Sequence, residues 1–236
     1  MLVSGSLPVG RPVDLVIFDC DGVLIDSEVI STRSTVEVLA SLGYEISEAE
    51  ASSKFVGRSY ASVRSEIETD WGKPLPPSFE VDVEQKTLRA MATSLQPIKG
   101  VGEALSKLKL PRCVASSSSI EWIRRGLERT GVLHHLAPHF FSASMVENGK
   151  PAPDIFLHAA GEMGALPESC LVIEDSLPGV QAGVAAGAIV IGFTGGSHIV
   201  DKDGHGERLI AAGAAGILDD MRRLPDVISA DLHSAR

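Results

Sequence analysis

Short apolar runs recur along the chain at residues 13–18, 112–115, 139–142, 170–173, 188–193 and 214–218. Each has the length of a β-strand, and segments with helical spacing separate most of them. This alternation predicts parallel βαβ units in an α/β fold, a doubly wound, Rossmann-like core sheet. Between the first two runs the pattern changes. Residues 31–42 have helical periodicity and stop at Gly43, and 60–71 and 81–95 read as helices around a break at Pro74, Pro76 and Pro77. No strand pattern occurs in this insert. The expected organisation is a core domain from residues 1–27 and 98–236, interrupted by a helical cap domain at 28–97. Pro97, Gly100 and Gly102 punctuate the second joint. The tail beyond Asp226 reads as a fraying helix.

The polar residues at the ends of these runs carry the chemistry. Asp19 and Asp21 follow the first run and precede Gly22. Residues i and i+2 of a strand point to one side, so both acids are expected in one crevice at the carboxyl edge of the sheet. Like charges that close call for a cation or a proton between them. In a catalytic reading, Asp19 attacks phosphorus and forms an aspartyl-phosphate, while Asp21 protonates the leaving alkoxide and later deprotonates water. A surface turn with two solvated acids is the other reading. Ser116–Ser119 close the second run, where hydroxyl and backbone N–H groups suit phosphate oxygens; an ordinary helix N-cap suits them too. Lys150 lies on a loop stiffened by Pro151 and Pro153, with Asp154 placed to cap the next helix. It reads as a neutraliser of phosphate and nucleophile, or as a solvated loop lysine. Glu174 and Asp175 end the fourth run and offer oxygen ligands to a hard divalent cation such as Mg²⁺, or favour the N-terminus of the helix that Ser176 opens.

Composition narrows the partners. Among 236 residues, 44% are hydrophobic and 22% charged, as in an ordinary globular protein, and the net charge of −10 argues against nucleic acid and membrane surfaces. An anionic substrate therefore has to be attracted locally. The N-terminal segment lacks the apolar core of a signal peptide, and no segment approaches the ~18–20 apolar residues of a membrane span. Cys20, Cys113 and Cys170 sit in apolar stretches without metal-ligand spacing, which reads as buried free thiols in a reducing, cytoplasmic setting. Cys20 as a nucleophile would need a base, and no histidine lies nearby in sequence. The clustered His134, His135 and His139 read as surface or core residues, and Trp71 and Trp122 as packing residues.

Taken together, residues 18–28, 114–117, 149–156 and 173–180 resemble the four ordered motifs of the haloacid dehalogenase superfamily of phosphohydrolases. The insert is placed as in the helical-cap branch that holds β-phosphoglucomutase and the sugar-phosphate phosphatases. The resemblance implies Asp19 as nucleophile and Mg²⁺ ligand, and Asp21 as acid/base and a ligand through its main-chain carbonyl. It implies phosphoryl binding by Ser116 and Lys150, with backbone help from Cys20, Asp21 and Ser117. Asp175 would ligate the metal, and Glu174 would do so directly or through water. Residues 54–59 resemble the substrate-contacting loop of such caps, which points to Arg58 as a substrate residue.

The implied function is a Mg²⁺-dependent phosphatase for a small phosphorylated sugar, polyol or sugar acid, 6-phosphogluconate-like, in a monomer or weak homodimer. The alternative is a β-phosphoglucomutase-like phosphoryl transferase, although Ser31 stands where that enzyme carries a histidine. A receiver-type signalling module shares the acid pair, hydroxyl and lysine, but has no substrate for a cap-sized insert to enclose.

Overall fold

The computed structural model describes residues 12–55 and 60–234. Its sheet contains β1 (Leu15–Phe18), β2 (Arg112–Ser116), β3 (Phe140–Ser142), β4 (Cys170–Glu174), β5 (Ile189–Phe193) and β6 (Gly216–Leu218). All neighbours pair in parallel, in the order β3-β2-β1-β4-β5-β6. The chain thus builds outward from β1 on one side, returns, and builds outward on the other. The reversal leaves a crevice outside the carboxyl ends of β1 and β4, where open α/β sheets bind ligands. Every residue of β1, β4 and β5 is buried, which explains why these strands read as unbroken apolar runs rather than alternating ones. β2 and β4 each extend one residue beyond their apolar run, taking Ser116 and Glu174 into the ladder opposite Ser142 and Gly192. Hydrophobicity marks where a parallel strand is covered, whereas hydrogen bonding carries it on to the polar edge.

The chain divides into two compact units, one running up to Ile25 and resuming at Gln96, the other Asp26–Leu95. The second unit holds α1 (Glu28–Leu42), α2 (Glu48–Phe55), α3 (Tyr60–Trp71) and α4 (Phe79–Ser94). α2 has no counterpart among the helices expected from periodicity, because its sequence carries few apolar residues. Its start is a capping box: Glu50 N–H donates to Ser47 Oγ (3.2 Å) and Ser47 N–H donates to Glu50 Oε2 (3.1 Å). The unit's own core gathers Val38, Leu39, Tyr44, Val63, Ile67, Leu75, Phe79 and Val83. Arg64 ties the proline break to that core. It donates to Glu80 through Nε (2.7 Å) and Nη2 (2.6 Å), and to the carbonyls of Leu75 (3.0 Å) and Pro76 (2.9 Å).

The sheet unit adds α5 (Val101–Lys107), α6 (Ile120–Arg129), α7 (Asp154–Glu162), α8 (Leu177–Ala185), α9 (Lys202–Ala211) and α10 (Leu224–Ser234). Leu15, Ile17, Cys113, Ala115 and Val172 meet Phe156, Ala159 and Val180 in one contiguous core. The points where the chain leaves and re-enters this unit are stapled together. Ile25 forms an antiparallel bridge with Pro97, and Ile98 N–H donates to the Leu24 carbonyl (3.0 Å).

Phe79 is 1% exposed in the helical core, so Phe79→Ala is expected to cost about 3–5 kcal/mol. Urea denaturation followed by the fluorescence of Trp71, which packs against the same cluster, checks this. An unchanged midpoint would contradict the packing described.

Candidate active site

The site forms where β1 and β4 end. Asp19 N–H donates to the Ile173 carbonyl (3.0 Å), which fixes the residue after β1 against β4. The chain then curls: Leu24 and Ile25 N–H both donate to the Cys20 carbonyl, and Gly22 N–H donates to Ile25 O. Gly22 has φ +77°, and a Cβ there would overlap Asp175 Oδ2. Only glycine fits this turn and this close approach.

Lys150 enters from the loop before α7. Its Nζ donates to Asp19 Oδ1 (2.6 Å), Glu174 Oε2 (2.7 Å) and the Ala115 carbonyl (3.3 Å), and sits 5.0 Å from the centre of the Phe156 ring. Asp154, expected to cap α7, instead begins that helix. Its carboxylate reaches back to accept from Asn148 N–H (3.2 Å) and Nδ2 (3.1 Å), closing the Lys150 loop on itself. Ser176 caps α8 as expected, accepting from Gly179 N–H at 3.1 Å.

Glu174 is held mainly through one oxygen. Oε1 accepts from Asp175 N–H, Ser176 N–H and Ser176 Oγ, at 3.1, 3.0 and 2.8 Å, and Oε2 accepts from Lys150. Each carboxylate oxygen offers about two acceptor sites, so Oε1 is fully occupied, whereas Oε2, which accepts from Lys150, keeps a site for a cation or a water.

Electrostatics follow from this crowding. Burial raises the pKa of Asp19 well above the aspartate range, Glu174 raises it further, and Lys150 pulls against both. Asp175 is raised for the same reasons, burial first and then Glu174. Burial works against the Lys150 ammonium, yet Asp19 and Glu174 hold its pKa above its usual value. Carboxylate oxygens of Asp19, Glu174 and Asp175 lie within 4.8 Å of one another and all three residues are buried. One lysine cannot neutralise three ionised acids. The hard oxygen donors and the remaining negative charge fit a divalent cation.

Asp21 is held apart from this cluster. Ser118 Oγ donates to its Oδ2 (2.6 Å) and Trp122 Nε1 to its Oδ1 (2.9 Å). Trp122, expected as a packing residue, thus also donates to a carboxylate of the site. The serine run divides its labour. Ser116 is buried and its Oγ accepts from Ser118 N–H (3.1 Å), Ser117 is exposed, and Ser119 caps α6 by accepting from Trp122 N–H (3.3 Å). Cys20 is fully buried, and burial followed by the charge of Asp21 pushes its thiol pKa well up, which keeps it protonated and unreactive. Arg58 lies outside the described residues.

Two acidic strand ends, a buried lysine and a separately held acid thus converge at the carboxyl edge of a parallel sheet. The haloacid dehalogenase-like hydrolase profile matches residues 13–187. The chain belongs to that family, and it is a phosphatase of the family. It is 29% identical over 187 residues to the 6-phosphogluconate phosphatase of Escherichia coli, covering 79% of this chain and 85% of that one. It is 31% identical over 186 residues to hexitol phosphatase B of the same species, covering 75% and 81%. Among solved structures, a haloacid dehalogenase-like protein from Agrobacterium tumefaciens superposes with TM-score 0.85 at 39% identity, over 92% of this chain and 98% of its own. A hydrolase of the family from Deinococcus radiodurans, with bound phosphate and sodium, gives 0.77 at 33%, over 95% and 96%. Among the described residues, no helix is long and apolar enough to cross a membrane.

The raised carboxyl values give a signed expectation. A group whose folded pKa exceeds its unfolded one stabilises below the unfolded value and loses that contribution as pH rises through the folded value. Without metal, Asp19 and Asp175 therefore weaken the fold as pH rises above the ordinary aspartate range. A divalent cation offsets the repulsion that then develops. The gain in Tm on adding a divalent cation should be larger at pH 7.5 than at pH 5, as differential scanning fluorimetry against an EDTA control would read. An equal or reversed gain would contradict the cluster's assignment.

Proposed function

We propose that the protein is a Mg²⁺-dependent phosphatase that hydrolyses a small phosphorylated sugar, polyol or sugar acid through an aspartyl-phosphate on Asp19. The observation that carries this reading is the Lys150 ammonium lodged between Asp19 and Glu174, with Asp175 buried beside them and Asp21 held separately. A carboxylate approaches a phosphate dianion only where positive charge is already in place. Lys150 supplies one charge, and Mg²⁺ held by Asp19, Asp175 and the Asp21 main-chain carbonyl would neutralise phosphoryl oxygens when bound.

In the first step an Asp19 oxygen forms a bond to phosphorus as the ester P–O bond breaks, and Asp21 gives its proton to the departing alkoxide. In the second, water attacks the phosphorus, Asp21 takes its proton, and inorganic phosphate leaves with Asp19 restored. Ser116, Lys150 and the backbone N–H groups of Cys20, Asp21 and Ser117 are the phosphoryl-binding set. The substrate class rests on the relatives named 6-phosphogluconate phosphatase and hexitol phosphatase B. The helical unit acts as the cap, with Arg58 contacting the substrate.

Asp19→Asn should fold normally and lose about 10⁴-fold or more in kcat, and Asp21→Asn about 10²–10⁴-fold. Phosphate release should stop in excess EDTA and return with Mg²⁺. A screen over sugar, polyol and sugar-acid phosphates, repeated with Arg58→Ala, tests the substrate class. Substantial turnover by Asp19→Asn, or full activity in EDTA, would sink the reading.

A further inference from the structure

Two histidines from beyond β5 contact Asp175. The loop after β5 runs Thr194-Gly195-Gly196-Ser197-His198. It returns toward the carboxyl edge of the sheet and brings the His198 ring, whose side chain is only 5% exposed, to Asp175, with Nε2 3.2 Å from Oδ2. The ring fits because two glycines leave it room. A Cβ on Gly22 would lie 2.8 Å from His198 Cε1, and one on Gly196 would lie 2.6 Å from the same atom and 2.8 Å from Nδ1. A second histidine holds the same residue by its backbone. His205, in the first turns of α9, places Nε2 2.6 Å from the Asp175 carbonyl oxygen. A carbonyl only accepts, so Nε2 carries the proton. Arg208 Nη2 lies 3.4 Å from His205 Nδ1, and a guanidinium only donates. The tautomer of His205 is thereby fixed from both sides. Burial lowers the pKa of His205, in keeping with a neutral ring.

We infer that His198 and His205 are positioning residues for Asp175: His198 sets the direction of its carboxylate and His205 anchors its main chain, so that Asp175 is aimed at the cation before the cation arrives. The inference rests on the metal-dependent reading above. It adds two residues that come from beyond the fourth motif and act through Asp175. Their physical role is to restrict the orientation of a buried carboxylate packed among those of Asp19 and Glu174. Groups that orient a metal ligand in this way typically contribute 10–100-fold to metal affinity.

The test uses the full chain and Mg²⁺ alone. Mg²⁺ affinity is measured by isothermal titration calorimetry on wild type, His198→Leu, His198→Gln, His205→Leu and His205→Gln, with Tm in EDTA recorded for each. The leucine variants keep bulk and lose the donor, whereas the glutamines retain an N–H at similar reach. The expected result is Mg²⁺ binding weakened about 10- to 100-fold in the leucine variants and substantially restored in the glutamines. A lowered EDTA Tm with wild-type Mg²⁺ affinity would mean that the histidines only pack, and would overturn the inference. Gly196→Ala, which displaces the ring without altering its chemistry, gives a second route should His198→Leu not fold; unchanged Mg²⁺ affinity there overturns the role of His198. Wild type that binds no Mg²⁺ removes both this inference and the proposed function. Wild type that binds Mg²⁺ without releasing phosphate removes only the function, and the affinity comparison still decides the inference.

Discussion

The Lys150 ammonium is the contact on which the site depends. It is buried together with the carboxylates of Asp19 and Glu174. Taking such ions out of water costs several kcal/mol apiece, and their mutual attraction offsets this only when the geometry is good and the remaining lone pairs are satisfied. The short contacts meet the first condition, and the second is met at one oxygen of Glu174. Ser176 and the Asp175 N–H occupy the far oxygen of Glu174, while Asp154 closes the loop that delivers the lysine. The arrangement is therefore less a source of stability than a fixed distribution of charge, set up in advance of any ligand.

The two acids that follow β1 illustrate how neighbours with one chemistry acquire different environments. Asp19 is buried among carboxylates and a lysine; Asp21 accepts hydrogen bonds from a hydroxyl and an indole. Separation of two residues is enough, because the chain turns at Gly22 directly after the second acid.

Much of the fold was legible because buried parallel strands are written as apolar runs, and because the residues at their carboxyl ends depart so clearly from that pattern. Asp19, Lys150, Glu174 and Asp175 could be brought to one edge by topology alone. What stayed hidden depends on contacts between distant segments or on signals too local for periodicity. Trp122 meets Asp21 across 101 positions, and a tryptophan on an amphipathic helix carries no mark of its partner. The four serines at 116–119 are one repeated letter with different roles that only backbone geometry assigns. α2 was announced by Ser47 and Glu50 three residues apart, a capping signal, but lacks the apolar spacing that marked its neighbours.

The staple of Ile25 on Pro97 bears on descent as much as on architecture. The helical segment departs from the sheet unit and returns to it at one point, so its two ends are already neighbours. Closing a loop whose ends are held costs little more for a long insertion than for a short one. Evolution could lengthen, trade or rebuild everything from Asp26 to Leu95 without re-threading a strand or disturbing the charges at its tip. Diversification of what is recognised and preservation of what is done to it would then proceed on separate stretches of a single gene.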